Sequence, residues 1–241
     1  MIWVVMTVGT AAAGALQTVT GFGSVVLMML LFPFFFHMLD APSLALAINM
    51  LYCVVLCWKC RKSIDFRAAL WPTLTYSAVC FGVTRLVKGA DLQILLIVFS
   101  CFLMALSLYL LFVSSRVKVK KPGVRVGVAF GVLAGISAGA FAIGGPPMAP
   151  YMMAATRDHK SYVASMQFLF AITNIVNLSG RMISGIFPWD LWPYMAVGSI
   201  CILIGMKVGE AAADRINPKN LRRVVYAFVG ISGLILLLQN I

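Results

Sequence analysis

Acidic side chains are scarce in this chain, and none lies inside an apolar run. The seven carboxylates, Asp40, Asp65, Asp91, Asp158, Asp190, Asp214 and Glu210, all fall near the ends of such runs. The two histidines, His37 and His159, fall in the connections between them. This excludes an intramembrane Ser–His pair, a carboxylate dyad and a metal cluster, so neither a catalytic site nor a bound cofactor is expected. It also leaves no acidic or imidazole group as an obvious proton-coupling site. Charge of either sign is rare, at 11% of residues against about 25% in soluble domains. Cysteine is limited to six residues. Cys57 and Cys60 form a C-x-x-C, but no second pair follows to complete a zinc or redox site. The cysteines read as small packing residues. No basic residue precedes the first apolar run and no small-residue cleavage site follows it, so a removable signal peptide is not expected.

Apolar residues dominate, at 62% of the chain. They fall into about eight segments: 2–36, 41–58, 68–87, 92–113, 126–156, 161–180, 191–209 and 224–239. The fold class that follows is an all-α polytopic membrane protein. Six segments have ordinary spanning lengths. The first and fifth exceed 30 residues, or about 45 Å of helix, against a hydrocarbon core of about 30 Å. Both contain glycine clusters, "GALQTVTGFGS" at Gly14–Ser24 and "GISAGAFAIGGPP" at Gly135–Pro147. A shift of 121 lays Gly14 on Gly135, Gly23 on Gly144, Ser24 on Gly145, and Trp71-Pro72 on Trp192-Pro193. The chain therefore reads as a repeat, 1–115 and 126–241, joined by a basic linker at 116–125.

The net charge of +12 does not point to nucleic acid, because the basic residues sit in short loops between apolar segments, the positive-inside pattern. If segment five crosses once, the two sides carry nearly equal numbers of Lys and Arg. If it dips in and returns, Arg85, Lys88 and Arg181 are left alone on one side and the other 16 of the 19 fall opposite. A re-entrant hairpin with its tip at Ala142–Pro147 is therefore expected, with the linker on the cytoplasmic side. The loop after segment one carries no Lys or Arg, so only the repeat argues that segment one is also broken. One hairpin plus three spanning helices per half gives inverted halves, a recurrent transporter plan.

Broken backbone at membrane depth is tolerated only where it packs in protein or faces a polar cavity. The N–H groups of Gly23, Ser24, Gly144 and Gly145 are expected at half-helix N-termini, where free donors and the dipole suit an anion. Gly21 supplies turn freedom, and Pro146 suits a first helical turn. Gln17 and Thr20 precede the first tip. Gln167, Asn174, Asn177 and Arg181 share one face of segment six, and Asn49 is a lone polar residue in segment two. Gln17, Thr20, Asn49, Gln167, Asn174 and Asn177 are the candidate side-chain ligands; interhelical hydrogen bonding is the competing reading. Thr73, Ser77 and Thr84 form a weaker stripe in segment three. Arg85 and Arg181 lie near segment ends and are expected to snorkel as anchors.

At "GALQTVTGFGSVV", "GVLAGISAGAFAIGGPPMAPYM" and the basic central loop, the chain resembles the sulfite exporter TauE/SafE family of bacterial membrane proteins along its whole length. Gly21, Gly23, Gly144, Gly145 and Pro146 carry the resemblance. It implies transport, in many cases export, of sulfite, organosulfonates or related small organic anions across the bacterial inner membrane. The first half has Ser24 and Val25 where the second has Gly145 and Pro146, so unequal tips are expected. The expected partners are a small anionic substrate and the lipid bilayer, with no nucleic acid; a homo-oligomer is left open. The alternatives are an anion channel and, less favoured, an intramembrane enzyme.

Overall fold

The computed structural model describes residues 2–109 and 123–212, together with 231, 234, 235, 237 and 238. Most of the basic linker and of segment eight lies outside the described residues. The protein is an all-α polytopic membrane protein. Segment one forms α1 (Ile2–Thr20) and α2 (Ser24–Phe34). Then come α3 (Asp40–Lys59), α4 (Phe66–Val87) and α5 (Leu92–Leu108). Segment five forms α6 (Val124–Phe141) and α7 (Gly145–Ala155), and α8 (His159–Ile183) and α9 (Trp192–Ala212) follow. Among the described residues, five helices, α1, α3, α6, α8 and α9, are long and apolar enough to cross a membrane.

The acidic residues at segment ends have local work. Asp65 Oδ1 accepts from Arg67 and Ala68 N–H, Asp91 Oδ1 from Gln93 and Ile94 N–H, and Asp158 Oδ1 from Ser161 N–H. Each is an N-cap that satisfies donors a helix leaves orphaned.

Both overlong segments turn back. A Cβ on Gly9, near the start of α1, would touch Leu31, near the end of α2. Trp3 and Phe36, the two ends of this hairpin, both pack on Tyr194 at the start of α9, Phe36 edge-on. In segment five, Tyr151 of α7 lies beside Phe130 of α6. Gly123, Val124, Ala155 and Arg157, from the two ends of that hairpin, line a single cleft with Asp65 and Arg67. The Lys59–Glu210 ion pair, at 2.9 Å, puts the ends of α3 and α9 on this same basic face. The first hairpin thus opens on the face of Trp3 and Tyr194, and the second on the face of Arg67 and Arg157. All five tryptophans (Trp3, Trp58, Trp71, Trp189 and Trp192) are exposed and lie towards one face or the other, as expected of residues that settle at a membrane–water interface.

The breaks recur at the offset read in the sequence. Thr20 and Phe141 end the first arms, and Ser24 and Gly145 begin the second. Packing is reciprocal too, since α4 lies along α6 and α9 lies along α1. Glycine makes this close. A Cβ at Gly131, Gly135 or Gly139 of α6 would come within 2.9 Å of the carbonyl oxygens of Pro72, Tyr76 and Cys80 respectively. Four-residue spacing on both helices holds two backbones close, with Thr75, Val79 and Val83 of α4 seated on the three glycines, a packing mode suited to membrane interiors. Pro72 denies the Ala68 carbonyl its helical donor, and Tyr151 Oη donates to that carbonyl at 3.4 Å.

Candidate functional site

The two tips meet at mid-height. Ser24 reaches Asn49, halfway along α3, and a Cβ on Gly145 would lie 3.1 Å from Phe22 and 3.3 Å from Phe170, near the middle of α8. Between them is a cavity of about 20 Å³ lined by Gln17, Gly23, Val25, Val26, Asn49, Tyr76, Ala142, Ile143, Gly144, Gly145, Phe170 and Asn174. That is room for about one water.

Tip one turns through Gly21 (φ 83°) and Gly23 (φ 112°), both left-handed. Tip two makes the equivalent turn with Ala142 (φ 61°), where a Cβ makes the conformation costly by about 1–2 kcal/mol. The tips offer different donors. Pro146 and Pro147 carry no N–H, so tip two presents Gly144 and Gly145. At tip one, Gln17 Oε1 takes the Ser24 N–H at 3.3 Å. Val25 and Val26, next in the first turn of α2, keep theirs free of intrahelical partners.

Three carboxamides line the cavity. Gln17 Nε2 donates to Gln167 Oε1 at 2.9 Å, and Gln167 Nε2 donates to Gly21 O at 3.0 Å. Ser24 Oγ lies 2.8 Å from Asn49 Oδ1 and closer still to Gln17 Oε1, so its one proton serves one of them. Gln17 Nε2, Asn49 Nδ2 and Asn174 Nδ2 converge on the buried Cys53 Sγ at 3.7, 3.3 and 3.8 Å. A thiol is a weak acceptor. Asn49 and Asn174 therefore hold N–H capacity in reserve, beside two helix N-termini that each carry about half a positive charge.

The structure brings Gln17, Gly23, Asn49, Gly144, Gly145 and Asn174 to the cavity wall. Ser24 and Gln167 stand just behind it, bonded to Gln17. Thr20 Oγ1 turns to its own backbone, to Leu16 O at 2.8 Å. Gly21 packs on Tyr162, and Pro146 is buried in the first turn of α7 without reaching the cavity. Asn177 faces elsewhere, donating to Ala138 O at 2.9 Å and accepting from Thr84 and Arg181. Arg181 departs from expectation. It does not snorkel; it is 0% exposed, because carbonyls at the N-terminal end of α3 and the end of α6 close over it. Sequence reasoning missed Tyr76, Phe170, Val25 and Val26. A tyrosine in mid-segment was a usable signal for Tyr76. Val25 and Val26 contribute backbone, which leaves none in their side chains.

A family model described as sulfite exporter TauE/SafE matches residues 6–236. The chain belongs to that family. No curated protein and no solved structure is similar enough to count as a match. TauE/SafE proteins are membrane transporters and not enzymes, and the family match takes in both hairpins, their tips and every helix described above. A multi-pass TauE/SafE transporter works in a lipid bilayer on a small-molecule substrate.

Proposed function

We propose that this TauE/SafE protein exports a small anion, such as sulfite, an organosulfonate or a related organic acid, from the cytoplasm across the bacterial inner membrane. The anion binds between the hairpin tips. The observation that carries this reading is one mid-height cavity facing two half-helix N-termini and three carboxamides. Such donors compensate a buried anion, which is otherwise costly to desolvate. Val25, Val26, Gly144 and Gly145 supply backbone N–H groups, and Asn49 and Asn174 supply side-chain N–H groups held only by a thiol.

A three-oxygen anion is larger than the space present, so binding requires the tips to part. Hairpins opening on opposite faces suit alternating access, with 1–115 and 126–241 moving as the two halves. The basic face is assigned to the cytoplasm by the charge asymmetry. Arg67 and Arg157, which line clefts there, would draw anions inward.

The test is flux from liposomes loaded with sulfite, methanesulfonate or a small carboxylate, with binding measured on the same panel. Saturable, substrate-selective flux supports a carrier. Conductance at ion-channel rates would favour the channel reading, and absence of both binding and flux for every anion would refute the site.

A further inference from the structure

Arg181 is among the largest fully buried side chains. Its guanidinium touches only neutral acceptors. Nε donates to Asn177 Oδ1 at 3.1 Å, Nη1 to Leu39 O at 3.3 Å and Ser43 Oγ at 3.5 Å, and Nη2 to Gly139 O at 3.4 Å. All four contacts are long for charge-assisted hydrogen bonds. Among the described residues the one ion pair is Lys59–Glu210, on the basic face, whereas Arg181 lies towards the opposite face. Among the described residues no carboxylate lies within ion-pair distance of it; Asp40, beside Leu39 at the start of α3, acts on it only through space, and a buried cation so weakly compensated is expensive and marks a site where charge is handled. The dipole at the C-terminal end of α6, where Gly139 lies, offsets part of the charge and no more.

Position gives the cation a task. Asn174 lines the tip cavity. Asn177 and Arg181 follow at intervals of three and four on the same face of α8, leading from the cavity towards the face opposite the basic one. The groups Arg181 holds come from the N-terminal end of α3 and the C-terminal end of α6, so its fork ties those elements to α8 across that route.

We propose that Arg181 is a second anion station and the gate on the exit side of the tip cavity, this inference resting on the tip cavity as the primary site. While closed, the guanidinium is bound to Leu39, Ser43 and Gly139. When those elements separate it loses neutral acceptors, and a sulfite or sulfonate arriving from the tips replaces them as a bidentate, charged partner. The gate thus opens at low cost only with an anion at hand, which limits opening of an empty carrier.

The full-length protein in detergent and in liposomes tests this with sulfite as the probe. R181Q is expected to transport sulfite about tenfold more slowly or worse, the worth of a lost charge-assisted hydrogen bond. R181K, which keeps the charge but not the fork, is expected to transport faster than R181Q. A cysteine replacing Ser43 reports the gate, its labelling from the exit face being followed by peptide mapping. With Arg181 intact, sulfite should raise that labelling, and in the R181K background it should be high without sulfite. R181Q transport at the parent rate would overturn the proposal. So would labelling at position 43 indifferent to sulfite in a protein that binds and transports it, and that readout stands if R181Q fails to fold. If the parent binds no anion at all, it is the tip reading that has failed, and this inference falls with it.

Discussion

Asn174 and Asn177 differ by one turn of helix and separate into different roles. Asn177 is spent on Ala138 O, Thr84 and Arg181, so its loss would orphan several buried groups. Among the described residues, the Asn174 side chain has one hydrogen bond, to a thiol at 3.8 Å. Asn174→Leu should therefore cost little stability, since polar contacts between membrane helices average about 0.6 kcal/mol. It should weaken anion binding by about 1.5–3 kcal/mol, the worth of a hydrogen bond to a charged group. Calorimetric binding beside thermal melting checks this; unchanged binding with a lowered Tm would make Asn174 a packing residue. At the tips, a Cβ on Gly144 would meet the Tyr76 ring at 2.5 Å. Gly144→Val is expected to abolish transport while expression persists. Ser24→Ala should cost less, because the Val25 and Val26 donors survive it. Equal losses in a flux assay would contradict a site built on backbone N–H groups.

At the level of elements, the glycines of segment five have two separate uses. Gly144 and Gly145 sit where backbone meets the cavity, whereas Gly131, Gly135 and Gly139 let α4 approach α6. The sequence alone placed Gly135 in the same cluster as the tip, but its contacts are with Tyr76 and Val79. Gly135→Ile would drive a branched side chain into the Tyr76 carbonyl, 2.9 Å from its Cβ. Overpacking of this kind costs about 1–3 kcal/mol, so the Tm in detergent should fall by several degrees. A melting point equal to the parent would mean that α4 and α6 can slide apart without penalty. Tyr76 links the two uses, since it packs on Gly135 through its backbone and lines the cavity beside Gly144.

For the whole molecule, the placement of hairpin ends on opposite faces makes a topological prediction. Cysteines at Arg125 and His159 should be labelled by an impermeant reagent from one side only, the cytoplasmic one. A cysteine at Asp190 should be labelled only from the other. Labelling of positions 125 and 159 from opposite sides would mean that segment five crosses the membrane and does not return.

The all-helical membrane class followed from apolar content alone, because helices satisfy their own backbone where water is absent. The positions of both breaks were equally legible. Length in excess of one span, glycine and proline at a common offset, and the charge balance are all local or additive properties. The equal status of segment one was legible only through the repeat, since its flanking loop has no charge to count. Which polar residues share a cavity was not legible, because that depends on how helices rotate about one another. Periodicity placed Gln167, Asn174, Asn177 and Arg181 on one face, yet the packing of α3, α4 and the tips sends Asn174 to the cavity, Gln167 behind Gln17, and Asn177 to Arg181. Arg181 shows the limit most plainly. Near a segment end, sequence predicts a side chain reaching for water, and only the carbonyls brought over it by α3 and α6 decide that it stays buried.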